Sequence, residues 1–302
     1  MHLSRRFWLW LTVGSVAVLA ALVLSLTLIS SQAQRIKGTL SPPPGPHQAG
    51  DVWVADLGGR TGLEMVWCPP GKFLMGSPAS EPDRQSNETQ HEVTLTQGFW
   101  LGKTEVTQAQ WQAVMGNTPS YFPRKEIIRW KVLKWQIPVW RQDFLASRWQ
   151  LPVERVSWDD CQEFCRKAGG GCRLPTEAEW EYACRAGAPS PFAGSGVLNE
   201  MGWYAGNSGG KTHPVGSKKP NAWGLCDMHG NVWEWCQDWY GDYPAGAVID
   251  RQGPATGAFR VFRGGSLNYY ARDCRAAFQN GREPGNRGSN LGFRVALAPA
   301  VR

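Results

Sequence analysis

The helical segments of this sequence are short and end abruptly. Thr107 with Gln110 opens TQAQWQAVM and Gly116 stops it. Ser157 with Asp160 opens SWDDCQEFCRKA, which stops at Gly169, and Thr176 with Glu179 opens TEAEWEYACRA, which stops at Gly187. A cap oxygen, a polar or acidic residue three positions on and a glycine past the end satisfy the amides and carbonyls that a helix leaves unpaired. Strand candidates are equally brief: FLMG from 73, HEVTLT from 91, FWLGKTEV from 99, VFRGG from 261 and GFRVALA from 292, and much of 188–258 reads as coil. Between such short elements the core must come from large side chains, and the chain carries 17 Trp beside 35 Gly and 21 Pro. The fold class expected is α+β: one loop-rich domain over residues 51–302, pinned by aromatic packing.

Ahead of that domain, residues 1–6 are basic, and Phe7 to Ile29 form a 23-residue run without a charge. Its length suits a transmembrane signal-anchor. Ser31 and Ala33 also suit a signal peptidase, so secretion after cleavage near Ala33 stays open. Residues 30–50 include GTLSPPPGPHQAG, a stiff Pro/Gly linker expected not to pack. Eight cysteines fit an oxidising compartment, so the domain is expected at a membrane, facing the periplasm or cell surface.

Several phrases stand in a fixed order: MVWCPPGKFLMGS, KTEVTQAQW, PVERVSWDDCQEFC, RLPTEAEWEYACRAG, HGNVWEWCQDWY, RGGS and SNLGFRVA. Together they resemble the formylglycine-generating-enzyme (sulfatase-modifying factor) superfamily over nearly all of 62–298. The resemblance implies a compact domain with a C-type-lectin-like C-terminal part. In its active members two cysteines between GGS and a later CAA element bind copper and oxidise a substrate cysteine. Here the interval from Ser266 to Cys274 is LNYYARD, and Tyr269 stands where thiols are required. A phenol, with a pKa near 10, does not replace a copper-binding thiolate pair. No copper is expected, and the enzyme reading, an oxidoreductase acting on protein cysteine with a different metal site, is the alternative to a non-catalytic module.

The same resemblance implies a disulfide between Cys184 and Cys274. A second family bridge, from Cys165 to a cysteine after GFR, is missing because Val295 stands there. It also implies calcium at Asp227, Gly230, Val232 and Glu234, hard oxygen donors around a tight turn. Cys161, Cys165 and Cys172 lack a zinc spacing, and His91, His213 and His229 are scattered. Glu177, Glu179 and Glu181 read as a helix's first turn and exposed face.

The C-terminal segment has a further resemblance, to the variable proteins of diversity-generating retroelements. It implies changeable, ligand-facing side chains at Leu267, Asn268, Tyr269, Tyr270, Asp273, Phe278 and Asn280, over a floor of Trp233, Ser266 and Asn290. Tyr and Asn give amphipathic contact and adaptable hydrogen bonds at low entropic cost, as in antibody loops. The expected partner is a protein or glycan. Finally, 122–150 holds seven Lys/Arg against Glu126 and Asp143, with Trp130, Trp135, Trp140 and Trp149 interleaved. That mixture suits an acidic partner or a lipid surface; nucleic acid is not expected of an exported domain.

Overall fold

The computed structural model describes residues 40–58, 61–122 and 150–300. The apolar run 7–29, the first part of the linker and residues 123–149 of the basic insertion lie outside the described residues. In chain order the elements are β1 (Val52–Asp56), β2 (Gly62–Cys68), β3 (Gly71–Met75), β4 (His91–Leu95), β5 (Phe99–Gly102), α1 (Gln108–Met115), α2 (Trp158–Ala168) and α3 (Glu177–Arg185). A single turn α4 (Leu198–Met201), β6 (Trp233–Trp239), β7 (Val248–Ile249), β8 (Arg260–Arg263), a 3-10 turn Ala271–Cys274, β9 (Gln279–Arg282), β10 (Leu291–Gly292) and β11 (Ala296–Leu297) follow. They form three small sheets, ordered β1-β2-β5-β11, β10-β6-β8-β9 and β3-β4-β7. The fold is mixed and sheet-rich, with few helices.

The helix caps follow the sequence. Thr107, Ser157 and Thr176 each accept from the backbone N–H three residues on, whose side chain returns the bond. The first sheet lies between two cores. Leu63, Met65 and Trp67 of β2 face one, with Trp100, Phe164 and Phe293. Val66 and Cys68 face the other, with Phe99, Trp180 and Tyr182. A strand buried on both faces loses the apolar–polar alternation that marks a half-exposed one. For that reason β2 escaped the sequence reading; β1 escaped it because the exposed positions of VWVAD carry Val52 and Val54, at 54% and 59%, in place of polar residues.

Three expectations are corrected. The linker does pack: Leu40 is 2% exposed within the core, and His47 lies against Trp67 and Trp100 at ring centroids 5.0 and 4.9 Å. Its prolines do not prevent docking, because its apolar side chains bury area at little further entropic cost. Glu177 and Glu181 of α3 are buried, at 1% and 0% exposure, and both meet Arg263 of β8, with Arg251 also on Glu177 and Arg185 on Glu181. Within the supposed coil, WEWCQDW forms β6, an inner strand of the second sheet. Glu and Asp are poor strand formers, yet here Glu234 accepts from Arg294 at 2.6 Å through each oxygen and from Trp180 Nε1 at 2.7 Å. Burial of an acid in a strand follows once a guanidinium comes with it.

Candidate ligand-binding face

The Tyr/Asn segment starts where β8 ends. Beyond Arg263 the chain turns through Gly264 and Gly265, with φ of 98° and 79°. A Cβ on Gly265 would stand 2.3 Å from Cys274 Sγ and 2.9 Å from its Cα, so only glycine lets the two ends of the loop pass this closely. Two arginines within the segment hold it to the core. Arg263, fully buried, donates to the carbonyls of Ala276 and Ala277 at 2.8 and 2.9 Å and to the Glu181 carboxylate. Arg275, 2% exposed, donates to Glu81 at 2.7 Å, to both oxygens of Glu88 at 2.8 and 2.7 Å, and to the carbonyl of Asp83 at 2.8 Å.

These ion pairs stand in for the expected covalent brace. Cys184 and Cys274 are both free thiols, and the disulfide implied between them is not formed. The buried His229 imidazole contacts both residues instead: Nδ1 is 2.8 Å from the Cys274 carbonyl, and Nε2 is 3.7 Å from Cys184 Sγ. Nε2 accepts from the Ala193 amide at 3.0 Å, so Nδ1 carries the proton. Burial pushes the His229 pKa down to about 4 and keeps the ring neutral. It is expected that Cys184→Ser shifts the thermal midpoint equally with and without a thiol reductant. A shift that vanishes in reductant would restore the bridge.

Of the residues expected to face a ligand, the structure brings some together and turns others inward. Asn290 Nδ2 donates to Asn268 Oδ1 at 2.9 Å and to Ser266 Oγ at 3.3 Å, and Ser266 Oγ donates to Asn268 at 3.0 Å. Trp233 packs edge-on to Tyr269 at 5.1 Å and tilted to Phe278 at 5.8 Å. Trp233, Ser266 and Asn290 are buried, which places them beneath the exposed Asn268 and half-exposed Tyr269. Tyr270 is the most open, at 68%, and Asn280 is exposed on β9. Leu267, Asp273 and Phe278 are buried instead. The Leu267 backbone is tied at both ends, its N–H donating to Asn231 and its carbonyl accepting from Ser208 Oγ at 2.5 Å. Asp273 caps the 3-10 turn, accepting from the Tyr270 amide at 3.1 Å, and Phe278 completes the aromatic floor. The face therefore comprises Asn268, Tyr269, Tyr270 and Asn280.

Arg282 also belongs to this face. Its Nη2 donates to the Tyr269 hydroxyl at 3.4 Å and its Nη1 to Asn286 at 3.2 Å. The only sequence signal was its place in the QNGR strand after the cysteine. The loop from Trp203 backs the face: Ala205 N–H donates to the Tyr269 carbonyl at 3.0 Å, and Trp203 stacks on His213 at 3.7 Å.

No activated sulfur opens here. Burial raises the thiol pKa of Cys68, Cys161, Cys236 and Cys274, to about 12 at Cys184 and about 11 at Cys226; the neighbouring Cys172 thiol does the same for Cys165. A thiol so raised is not a nucleophile at neutral pH.

The calcium set implied by the sequence does not fit as a whole. Both Glu234 oxygens are committed to Arg294 and Trp180. Asp227 accepts from the Gly216 amide at 2.6 Å through Oδ2, and its buried Oδ1 has no partner; nor does Glu105 Oε1. The open carboxylate oxygens thus lie on Asp227 and Glu105, with Gly230 and Val232 in the turn between Asp227 and β6. Burial raises both pKa values, that of Asp227 to about 6.

The motif order, the two-core fold and the geometry of this face now stand beside known proteins. The domain described as "Sulfatase-modifying factor enzyme 1-like domain" matches residues 56–299. The chain belongs to this family. The formylglycine-generating enzyme of Streptomyces coelicolor is 32% identical over 78% of this chain and 90% of its own length. The Mus musculus formylglycine-generating enzyme is 32% identical over 77% of this chain and 74% of its own. Among solved structures, Treponema denticola variable protein 1 superposes with a TM-score of 0.69 at 32% identity, covering 82% of this chain and 99% of that one. PvdO from Pseudomonas aeruginosa gives 0.65 at 28% identity, over 84% and 100%. Both the enzyme and the variable-protein resemblance of the sequence are therefore found, on one sulfatase-modifying-factor scaffold.

Proposed function

We propose that this sulfatase-modifying-factor-like domain is a non-catalytic binding module, and that its ligand, a protein or glycan, is held on Asn268, Tyr269, Tyr270 and Asn280. One observation carries the reading: an exposed Tyr/Asn edge stands on a frame fixed by buried ion pairs, with no reactive thiol beside it. Rigid backing spares a binding surface the entropy of ordering, and tyrosine supplies contact area with few rotatable bonds. The likeness to a treponeme variable protein supports it. In this reading the run 7–29 anchors the domain to a membrane and exports it, and the 122–150 insertion meets an acidic or lipid surface. Both segments, except residues 122 and 150, lie outside the described residues.

The test is ligand capture on glycan and surface-protein arrays by the parent chain and Tyr270→Ala. The variant is expected to lose at least about tenfold in affinity, the cost of truncating a central aromatic, while its thermal midpoint stays unchanged because the ring is open to solvent. Equal binding by the two would remove Tyr270 from the face. The identity to two formylglycine-generating enzymes favours the alternative of an oxidoreductase. Conversion of a thiol peptide to an aldehyde by the purified chain, or stoichiometric copper(I) binding, would establish that reading in place of this one.

A further inference from the structure

A second concavity lies at the far end of β6 and β8. It is a cleft of about 550 Å³ whose walls include Thr96, Gln97, Gln237, Gly253, Pro254 and Arg260, a volume in the range of small-molecule sites. Charged groups of both signs line it, and all but one have their charged ends ion-paired or hydrogen-bonded twice within the protein. Arg173 makes a two-bond fork with Glu179, both at 2.6 Å. Arg251 donates to Glu177 at 2.9 Å. Asp250 accepts from the Thr96 amide and hydroxyl at 2.8 and 2.5 Å. Asp238 accepts from the amides of Glu177 and Gly253 at 2.8 and 2.6 Å.

The exception is Arg260. Its guanidinium sits between two indoles, 3.4 Å from the Trp239 ring centroid and 3.8 Å from that of Trp158. Trp158 is itself fixed, its Nε1 donating to the Cys236 carbonyl at 2.9 Å. The guanidinium spends one bond inside the protein, Nη1 to the Gln237 carbonyl at 2.8 Å, and its Nε is buried without a partner. Among the described residues no carboxylate lies within 4.0 Å of it. Asp238 and Asp159 attract it only from farther away. Directly opposite on β9 stands Arg282, whose partners are a phenol and an amide. Like charges facing each other across an antiparallel pair are destabilising. Among the described residues neither guanidinium of this pair meets a carboxylate within 4.0 Å.

We infer that the cleft binds a small oxyanion, a carboxylate or a phosphate, on the free edge of Arg260. The planar fork matches two oxygens of either group. The flanking indoles fix its plane and exclude water from its faces, which strengthens the pairing. A neutral ligand would leave the guanidinium without a charged acceptor in contact. The walls of the cleft share no residue with the Tyr/Asn face, and the site stands or falls without a ligand there.

The experiment is titration of the full chain with inorganic phosphate, and separately with succinate, at constant ionic strength. The indole N–H resonances of Trp158 and Trp239 are followed by NMR. Saturable shifts of these two signals are expected, with the tighter midpoint identifying which oxyanion is preferred. Arg260→Gln is expected to weaken the midpoint at least about tenfold, the cost of a charge-assisted bond, and Tyr270→Ala to leave it unchanged. Should Arg260→Gln fail to fold, Arg260→Lys keeps the charge without the fork and is expected to weaken binding in the same direction. Absence of a saturable shift with both anions, or an unaltered midpoint in the Arg260 variant, overturns the inference.

Discussion

Arg275→Met is expected to destabilise the domain by about 3–5 kcal/mol, the cost of leaving buried carboxylates without their cation. The guanidinium neutralises two acids, Glu81 and Glu88, that are 8% and 0% exposed. After substitution Glu88 retains only the Ser77 hydroxyl, at 2.6 Å, as a side-chain donor. For a domain of this size the change corresponds to a fall in midpoint of roughly 6–20 °C, read by thermal or urea unfolding. A pH signature accompanies it. Burial alone would raise the Glu88 pKa, but hydrogen bonds from Arg275 and Ser77 outweigh it and hold the carboxyl below its ordinary 4.5. A lowered folded-state pKa contributes stability that is present above 4.5 and lost as pH falls through the folded value. The parent should therefore lose more stability on acidification than Arg275→Met. A variant within about 1 kcal/mol of the parent at pH 7, the scale of a surface ion pair, would show that these acids are solvated. The loop 263–282 would then lack the anchor assigned to it.

Glu154 has the opposite sign. Burial raises its pKa to about 7, although the Phe122 amide, donating at 2.8 Å, favours the charged form. Its second oxygen is buried without a partner. The folded state therefore holds a proton that the unfolded chain releases near 4.5. Stability from this group is complete below about 4.5, declines as pH rises towards 7 and stays lost above it. The full swing is about 3 kcal/mol, from a shift of two to three pKa units. Glu154→Gln keeps the acceptor for Phe122 and removes the charge. It is expected to match the parent at pH 4 and to exceed it at pH 8 by up to that amount. Parallel stability profiles for the two proteins between pH 4 and 8 would refute the buried, protonated state.

The two effects lie on opposite sides of the same physical balance. Glu88 meets a guanidinium and keeps its charge, whereas Glu154 meets only backbone amides and holds its proton up to about pH 7. The sequence reading singled out neither. Its own acidic candidates divide in the same way. Glu234, expected as a calcium ligand, is occupied by Arg294, while Asp227 retains an unpaired oxygen beside Glu105.

What the sequence determined by itself is what short range decides. The three helix starts follow from Thr107, Ser157 and Thr176 with their partners three residues on, because a capping box closes within one turn. The motif order from MVWCPP to SNLGFR identified the family, and the glycines of RGGS mark the passage beside Cys274. Tertiary structure decided the rest. Arg275 reaches Glu88 across 187 residues and Arg263 reaches Glu181 across 82, and no local pattern records such a pairing. Those contacts brace the loop without a disulfide, and the pairing of Arg294 with Glu234 lets an acid-bearing segment form β6. Packing also docked Leu40 and His47, and turned Leu267, Asp273 and Phe278 inward while leaving Tyr270 in water. Which way a side chain faces in an irregular loop depends on what is packed behind it, and that neighbour is set by the fold.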